Sequence, residues 1–495
     1  MKKISASLLA LSLLTISCQP ATPKPPSPTP ATVTETPANP GTDWDDRSIF
    51  EQGLVRSARP ILNQLDGASV YHITFEIGSD LVHITGSEAV RYTNTEEDEL
   101  AEVRFRLFAN ILGGEMEIMN IKVNDSEVRP SYELRNSLMV VPLPQALQPG
   151  QSAVISMDFT LTVPESVQLN YGVQAYFDDV LALAHAYPMI AVFDDEGWNA
   201  EIPPQSGDVT YADMSFFVVT VSAPKNVTVV GSGRETNRVE NGNRQTVTFA
   251  AGPARDFYLA ASPEYEVFTK ETGGVTYRFY TRDHLQAGAE SALDAAARAV
   301  EDFSARYAPY PYTELDFVST PTFAAGIEYP GMIAITEGIV QPDQNILEVV
   351  VAHEVAHQWF YNLVGNDQLD DPWLDESLAQ FATLQYFTDE YGREGSSAFR
   401  QQLDSRWSSV NYEDIPVSLP VAEYSELEYS AIVYGRGGLF FDALRDEIGE
   451  ETFDAFLKDY TETLSWGIST PEQLQTIAEE NCNCDLTAIF EEWIY

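Results

Sequence analysis

Near residue 265 the apolar side chains stop recurring at every second position and begin to recur at helical spacing. That switch constrains the fold of this chain more than any other feature. Before it, Tyr71, Ile73, Phe75 and Ile77 alternate with polar neighbours, as do Val103, Phe105 and Leu107. Val218-Val219-Thr220-Val221 and Val227-Thr228-Val229-Val230 are β-branched runs. Turn signals such as Asn124-Asp125-Ser126 and Asn241-Gly242-Asn243 separate such segments,. An all-β, sandwich-like region is expected over residues 46–265. Its stretch 168–207 breaks the alternation and reads as a long connection of the kind that reaches active sites. From about residue 283 the pattern is helical: Leu293, Ala297, Val300 and Tyr307 recur along an Ala-rich segment that starts at Ala287. Further helices are expected over 345–363, 373–391, 395–408, 435–448 and 451–463. Strand-like Leu315–Ser319 and Met332–Thr336 lie between the first two. Residues 266–495 therefore read as an α+β, mostly helical domain.

The first residues carry a different kind of information. Lys2 and Lys3 precede the apolar run Leu8–Ile16, which is followed by Ser17-Cys18. This is the charged, apolar and small-residue order of an export signal, over residues 1–17, and the run is too short to span a bilayer as a helix. A Cys directly after such a run resembles a bacterial lipoprotein signal, which implies lipidation of Cys18; a plain secretory signal is the alternative. The Pro-, Thr- and Ala-rich stretch within 18–45 has almost no large apolar residue and reads as an extended tether. The expected location is the outer face of the cell membrane, with contact to that membrane only through the lipid. The 495 residues contain 75 Asp and Glu against 28 Lys and Arg, a formal net charge of −47. Such a surface repels phosphate backbones, which excludes nucleic acid as a partner. It is equally consistent with a well-solvated surface and with adaptation to salt. After Cys18 only Cys482 and Cys484 remain, spaced too tightly for an easy disulfide, and either pairing or free thiols are compatible with the sequence,.

The chemistry is concentrated in Ala352-His353-Glu354-Val355-Ala356-His357-Gln358-Trp359. On a helix, residues four apart share a face, so the imidazoles of His353 and His357 can reach one metal ion. Glu354 then projects beside the metal, where it can hold a water. A catalytic zinc ion needs a third protein ligand and an open position. Trp373-Leu374-Asp375-Glu376-Ser377 opens the next expected helix, and an antiparallel neighbour would return Glu376 to the His pair.

With 18 residues between His357 and Glu376, these motifs resemble the aminopeptidase N and leukotriene hydrolase gluzincins, peptidase family M1. Tyr310-Pro311-Tyr312-Thr313-Glu314-Leu315-Asp316 resembles the segment that precedes the family's exopeptidase motif. Ala325-Gly326-Ile327-Glu328-Tyr329 stands where the family has Gly-x-Met-Glu-Asn, and Tyr429 to Tyr434 with Gly435-Arg436-Gly437 resembles its Tyr-x-Lys-Gly segment. The resemblance covers the chain from about residue 60 and is closest after 284. It implies a β-rich N-terminal domain followed by a thermolysin-like catalytic domain, holding one zinc ion on His353, His357 and Glu376.

The resemblance also implies roles. Glu354 would be the general base on a zinc-bound water and would pass the proton to the leaving amine. Tyr434, which by pattern alone reads as a core tyrosine, would stabilise the oxyanion. Glu328, otherwise a solvated loop carboxylate, would pair with a free α-amino group. Ala325, Gly326 and Ile327 would line the substrate as an added strand. The implied activity is removal of N-terminal residues from peptides outside the cytoplasm. The chain departs from the family at Ala325, Ile327, Tyr329 and Arg436. It also ends at Tyr495, where larger members continue into a helical domain; this implies a more open site, longer peptides, or closure by a partner chain. The acidic surface favours cationic peptides kinetically. Two other readings compete: a zinc endopeptidase of relaxed specificity, and a catalytically idle surface-binding lipoprotein. The complete set of ligands, base and tyrosine weighs against the second.

Overall fold

The computed structural model describes residues 43–204, 207, 209–342 and 345–495. All of them fall within one compact unit spanning 38–495. The expected signal (1–17), Cys18 and the tether up to residue 42 lie outside the described residues. No helix among the described residues is long and apolar enough to cross a membrane.

The alternating segments form strands as their spacing requires. Ser69–Ile77 buries Tyr71, Ile73, Phe75 and Ile77 on one face. It lies inside an eight-stranded sheet, between His83–Thr93 (antiparallel) and Ser215–Pro224 (parallel). Two four-stranded sheets back it, one centred on Leu259–Ser262 and Val180–Leu183, the other on Leu100–Arg106 and Leu138–Leu147. Ile73 and Phe75 of the large sheet, Val103 and Phe105 of one small sheet and Leu181 and Leu183 of the other belong to one continuous apolar core. Each such fully buried side chain contributes about 1.5–3 kcal/mol. The result is the layered, sandwich-like region expected from the alternation. The connection over 168–207 is not bare loop, since it carries short strands at Gln174–Phe177, Val180–Leu183 and Met189–Ile190.

A separate five-stranded sheet begins at Glu266–Thr272 and continues through Val275–Thr281, Glu314–Thr320 and Met332–Thr336. It ends on the two-residue edge strand Gly326–Ile327. The two inner pairings are parallel, and the edge strand pairs antiparallel with Met332–Thr336. Eight helices accompany this sheet: α1 (Gln286–Arg306), α2 (Asn345–Ala356), α3 (Trp373–Ser408), α4 (Glu426–Ala431), α5 (Gly437–Ile448), α6 (Glu450–Leu464), α7 (Pro471–Cys482) and α8 (Thr487–Trp493). Their apolar faces share a core with the sheet.

Two helix boundaries differ from the sequence expectation. α2 stops at Ala356 rather than 363, because the chain turns back at Tyr361, whose φ of 133° no helix accommodates,. The expected break between helices 373–391 and 395–408 is present inside α3, where Gly392 leaves helical geometry with a φ of 60°. The helix expected from 435 begins at Gly437, after a π-helical turn over Ile432–Arg436. Cys482 and Cys484, left open by the sequence, form a disulfide.

Candidate active site

α2 is apolar on nearly every side and is correspondingly buried, with Val350, Val351, Ala352, Val355 and Ala356 packed in the helical core. Its last turn carries His353 and Glu354, and His357 follows at once. α3 packs against it and presents Glu376 in its first turn. The expected return of Glu376 to the His pair is what the fold delivers. Glu376 Oε2 lies 3.1 Å from His353 Nε2 and 3.4 Å from His357 Nε2, and the two Nε2 atoms are 3.2 Å apart.

These distances test whether a metal fits. His357 Nδ1 is 2.9 Å from the Phe360 carbonyl. A carbonyl only accepts, so Nδ1 carries the proton and Nε2 turns a lone pair toward His353 and Glu376. Glu376 Oε2 is buried without a hydrogen-bond donor. Three ligand atoms that converge without a shared donor suit a cation. For tetrahedral zinc with bonds of about 2.0–2.2 Å, ligand atoms lie roughly 3.3–3.6 Å apart, close to the separations found. The nitrogen, nitrogen and oxygen donor set is one that zinc accepts. The electrostatics agree. Burial would raise the Glu376 carboxyl, but the close approach of the His353 and His357 imidazoles holds it well below the usual carboxylate range. Burial would lower His357, yet the nearby carboxylates of Glu376, Glu328 and Glu354 raise it. The centre therefore demands positive charge, which a proton or a divalent cation would each supply.

Around this cradle stand the other residues singled out in the sequence. Glu354 is buried, and burial, followed by the charge of Glu328, pushes its carboxyl well up. Edge strand Gly326–Ile327 passes directly over it: a Cβ on Gly326 would lie 2.4 Å from Glu354 Oε1. Tyr434 sits in the π-helical turn between α4 and α5, half-buried, with its hydroxyl donating to Glu376 Oε1. Glu328, just past the edge strand, is buried and lies with Glu354 and His357 in one cluster. Ala325, Gly326, Ile327 and Glu328 all line one cavity of about 620 Å³ with His353, His357 and Tyr434. The connection 168–207 reaches the same cavity through Asn170, Tyr171 and Pro203.

Several functional side chains escaped the sequence reading. Gln368 Nε2 donates to Glu328 Oε1 at 3.2 Å and to Asp375 Oδ2 at 2.8 Å, fixing both carboxylates. Gln380 places its amide 3.4 Å from His353 Nδ1. Gln358 accepts from the Gly331 amide at 2.9 Å, which anchors the loop behind Glu328. From the β half, His185 and Asp256 form a buried pair, Nδ1 to Oδ2 3.2 Å, in the cavity wall. Gln358 and Gln380 lie at helix-compatible offsets from the ligands and could have been found as polar residues on a buried face. Gln368, His185 and Asp256 sit where no period marks them.

Residues 291–493 match the peptidase family M1 domain. Among curated proteins, aminopeptidase M1-A of Oryza sativa subsp. japonica is 27% identical over 305 residues, which is 56% of this chain and 34% of that protein. Aminopeptidase N of Lactococcus lactis subsp. lactis is 30% identical over 236 residues, 44% of this chain and 27% of that protein. The matched stretch spans about a third of the length of such curated relatives. Among solved structures, an M1 zinc metallopeptidase from Deinococcus radiodurans is similar over 86% of this chain and 93% of that one, with a TM-score of 0.67 at 20% identity. A mutant of the Deinococcus radiodurans M1 zinc metallopeptidase, bound to a Tyr-Ser-Ala substrate, gives a TM-score of 0.66 at 21% identity. These likenesses identify a common fold: a β-sheet domain followed by a mixed, helix-rich catalytic domain.

Proposed function

We propose that this chain, whose residues 291–493 match the peptidase family M1 domain, is a zinc-dependent aminopeptidase that removes N-terminal residues from peptides. The observation that carries the exopeptidase reading is Glu328, a buried carboxylate held by Gln368 beside the His357 end of the ligand cradle. A buried carboxylate without a cationic partner is costly, and the α-ammonium group of a peptide would supply the missing charge. Glu328 thereby sets how far the peptide enters, so that the bond after its first residue lies over His353, His357 and Glu376. The free side of edge strand Gly326–Ile327 can pair with the peptide backbone as an added strand,.

Zinc on those three ligands would supply Lewis acidity, polarising the scissile carbonyl and acidifying a water. Glu354 takes the proton from the attacking water. Its raised affinity for protons, caused by burial, suits it to hold that proton and deliver it to the departing amine,. Tyr434 turns its hydroxyl from Glu376 to the oxygen on which negative charge develops,. Gly326 keeps the strand backbone close enough to exclude bulk water from Glu354.

The test is a panel of aminoacyl reporters and peptides, free or N-acetylated, with and without chelator. Glu354→Gln should retain zinc and lose activity by about 10²–10⁴-fold. Unchanged turnover would sink the assigned chemistry. Equal cleavage of free and acetylated peptides would instead favour the zinc endopeptidase.

A further inference from the structure

The cavity has two chemically distinct ends, and helix α2 orders them. Glu328 and Glu354 gather at His357. Arg406, from the last turn of α3, acts on His353, one helical turn away. Its Cζ is 5.4 Å from the Tyr434 ring centroid, and the Tyr434 ring is 5.9 Å from that of His353. Arg406 thus stands across the reacting bond from the end that would hold the α-ammonium. The cavity wall continues along the earlier turns of α2 through Val350, Val349 and Ile346. From His353 to Ile346 is roughly 10 Å of helix, the span of about three extended residues.

Arg406 is unusual in a chain with so large an excess of acid. One Nη donates to Ser430 Oγ at 2.7 Å and the guanidinium lies over Tyr434, but no carboxylate pairs with it among the described residues. Beyond it the cavity opens into a groove of about 590 Å³ lined by Gln401, Gln402, Ser405, Ser409 and Ser430 with two apolar residues and Arg406 itself. Among the described residues no acidic side chain lines that groove; Glu426, at the start of α4, is the acid that shares the adjoining cavity wall with Arg406. A planar guanidinium with free donors, fixed by a hydroxyl and an aromatic face, is a carboxylate receptor.

Building on the aminopeptidase reading, we propose that Arg406 binds the C-terminal carboxylate of short peptides, making the preferred substrates free-acid peptides of about two to four residues. Glu328 and Arg406 then grip the opposite charges of one zwitterionic peptide, and the distance between them selects its length.

The experiment compares trialanine with trialanine amide on the zinc-loaded enzyme. The free acid should show a KM about tenfold lower than the amide. Arg406→Gln should raise the KM of the acid and bring the ratio to about one, while Arg406→Lys should keep part of it. Because Arg406 also packs on Tyr434, any disturbance of catalysis falls on acid and amide alike and leaves the ratio untouched. Equal KM values for acid and amide in the wild type, or a ratio that survives Arg406→Gln, would overturn the proposal while leaving an aminopeptidase in place. Failure to cleave either peptide or any aminoacyl reporter would remove both readings together.

Discussion

At Gly326 the edge strand passes so near Glu354 that a single added methyl group would meet the carboxylate at 2.4 Å. Real Cβ atoms do not sit so close, so either the strand or the base must move. Gly326→Ala should lower kcat at least tenfold while zinc content, read by metal analysis, stays at one ion per chain; full activity would show that the strand shifts freely. The triad itself was legible from spacing, because helical geometry alone brings residues four apart onto one face and an antiparallel helix returns the third ligand. Glu328 and Tyr434 were legible only through the family resemblance. Glu328 follows a two-residue strand and Tyr434 occupies a π-helical turn, and neither backbone has a period to read. Gln368 was missed for a related reason: its role depends on Glu328 and Asp375, which are remote from it along the chain or on another element.

Elements were legible where their apolar pattern is long, and misjudged at their ends. α2 was drawn too far because residues 357–363 remain apolar enough to continue a helix, whereas tertiary contacts turn the chain at Tyr361. Arg255, at the end of strand Arg244–Ala254, explains how that turn is held. Fully buried, it donates to the carbonyls of Ala212 (3.0 Å) and Asn362 (3.2 Å), and also to those of Tyr361 and Gly467. One side chain from the β half thus satisfies backbone groups in the turn after the ligand helix and in the turn after α6. Arg255→Met would fill much of the volume but leave several buried carbonyls without donors. The expected loss is about 3 kcal/mol or more of folding stability, visible as a lower urea midpoint; an unchanged midpoint would mean that water takes over those carbonyls.

For the whole molecule, the excess of acid is partly internal. Burial pushes Asp213 up to about 6, Asp367 to about 7 and Asp256 to about 8. A carboxyl that binds its proton more tightly folded than unfolded, where its pKa is near 4, makes the folded state the better proton acceptor. Stability then rises as pH falls from above 8 toward 6. The melting temperature should be about 2–4 °C higher at pH 6 than at pH 8.5. A higher melting temperature at pH 8.5 would contradict the assignment.

The wall formed by Asn170, Tyr171 and Pro203 has a further consequence. Those residues leave the ribosome before α2 and α3, so this part of the wall is made ahead of the ligands it will face. The cradle of His353, His357 and Glu376 is therefore walled in only once both segments have been made. Order of manufacture thus works as a safety catch, and a foreign β half cannot simply be spliced on as an interchangeable part.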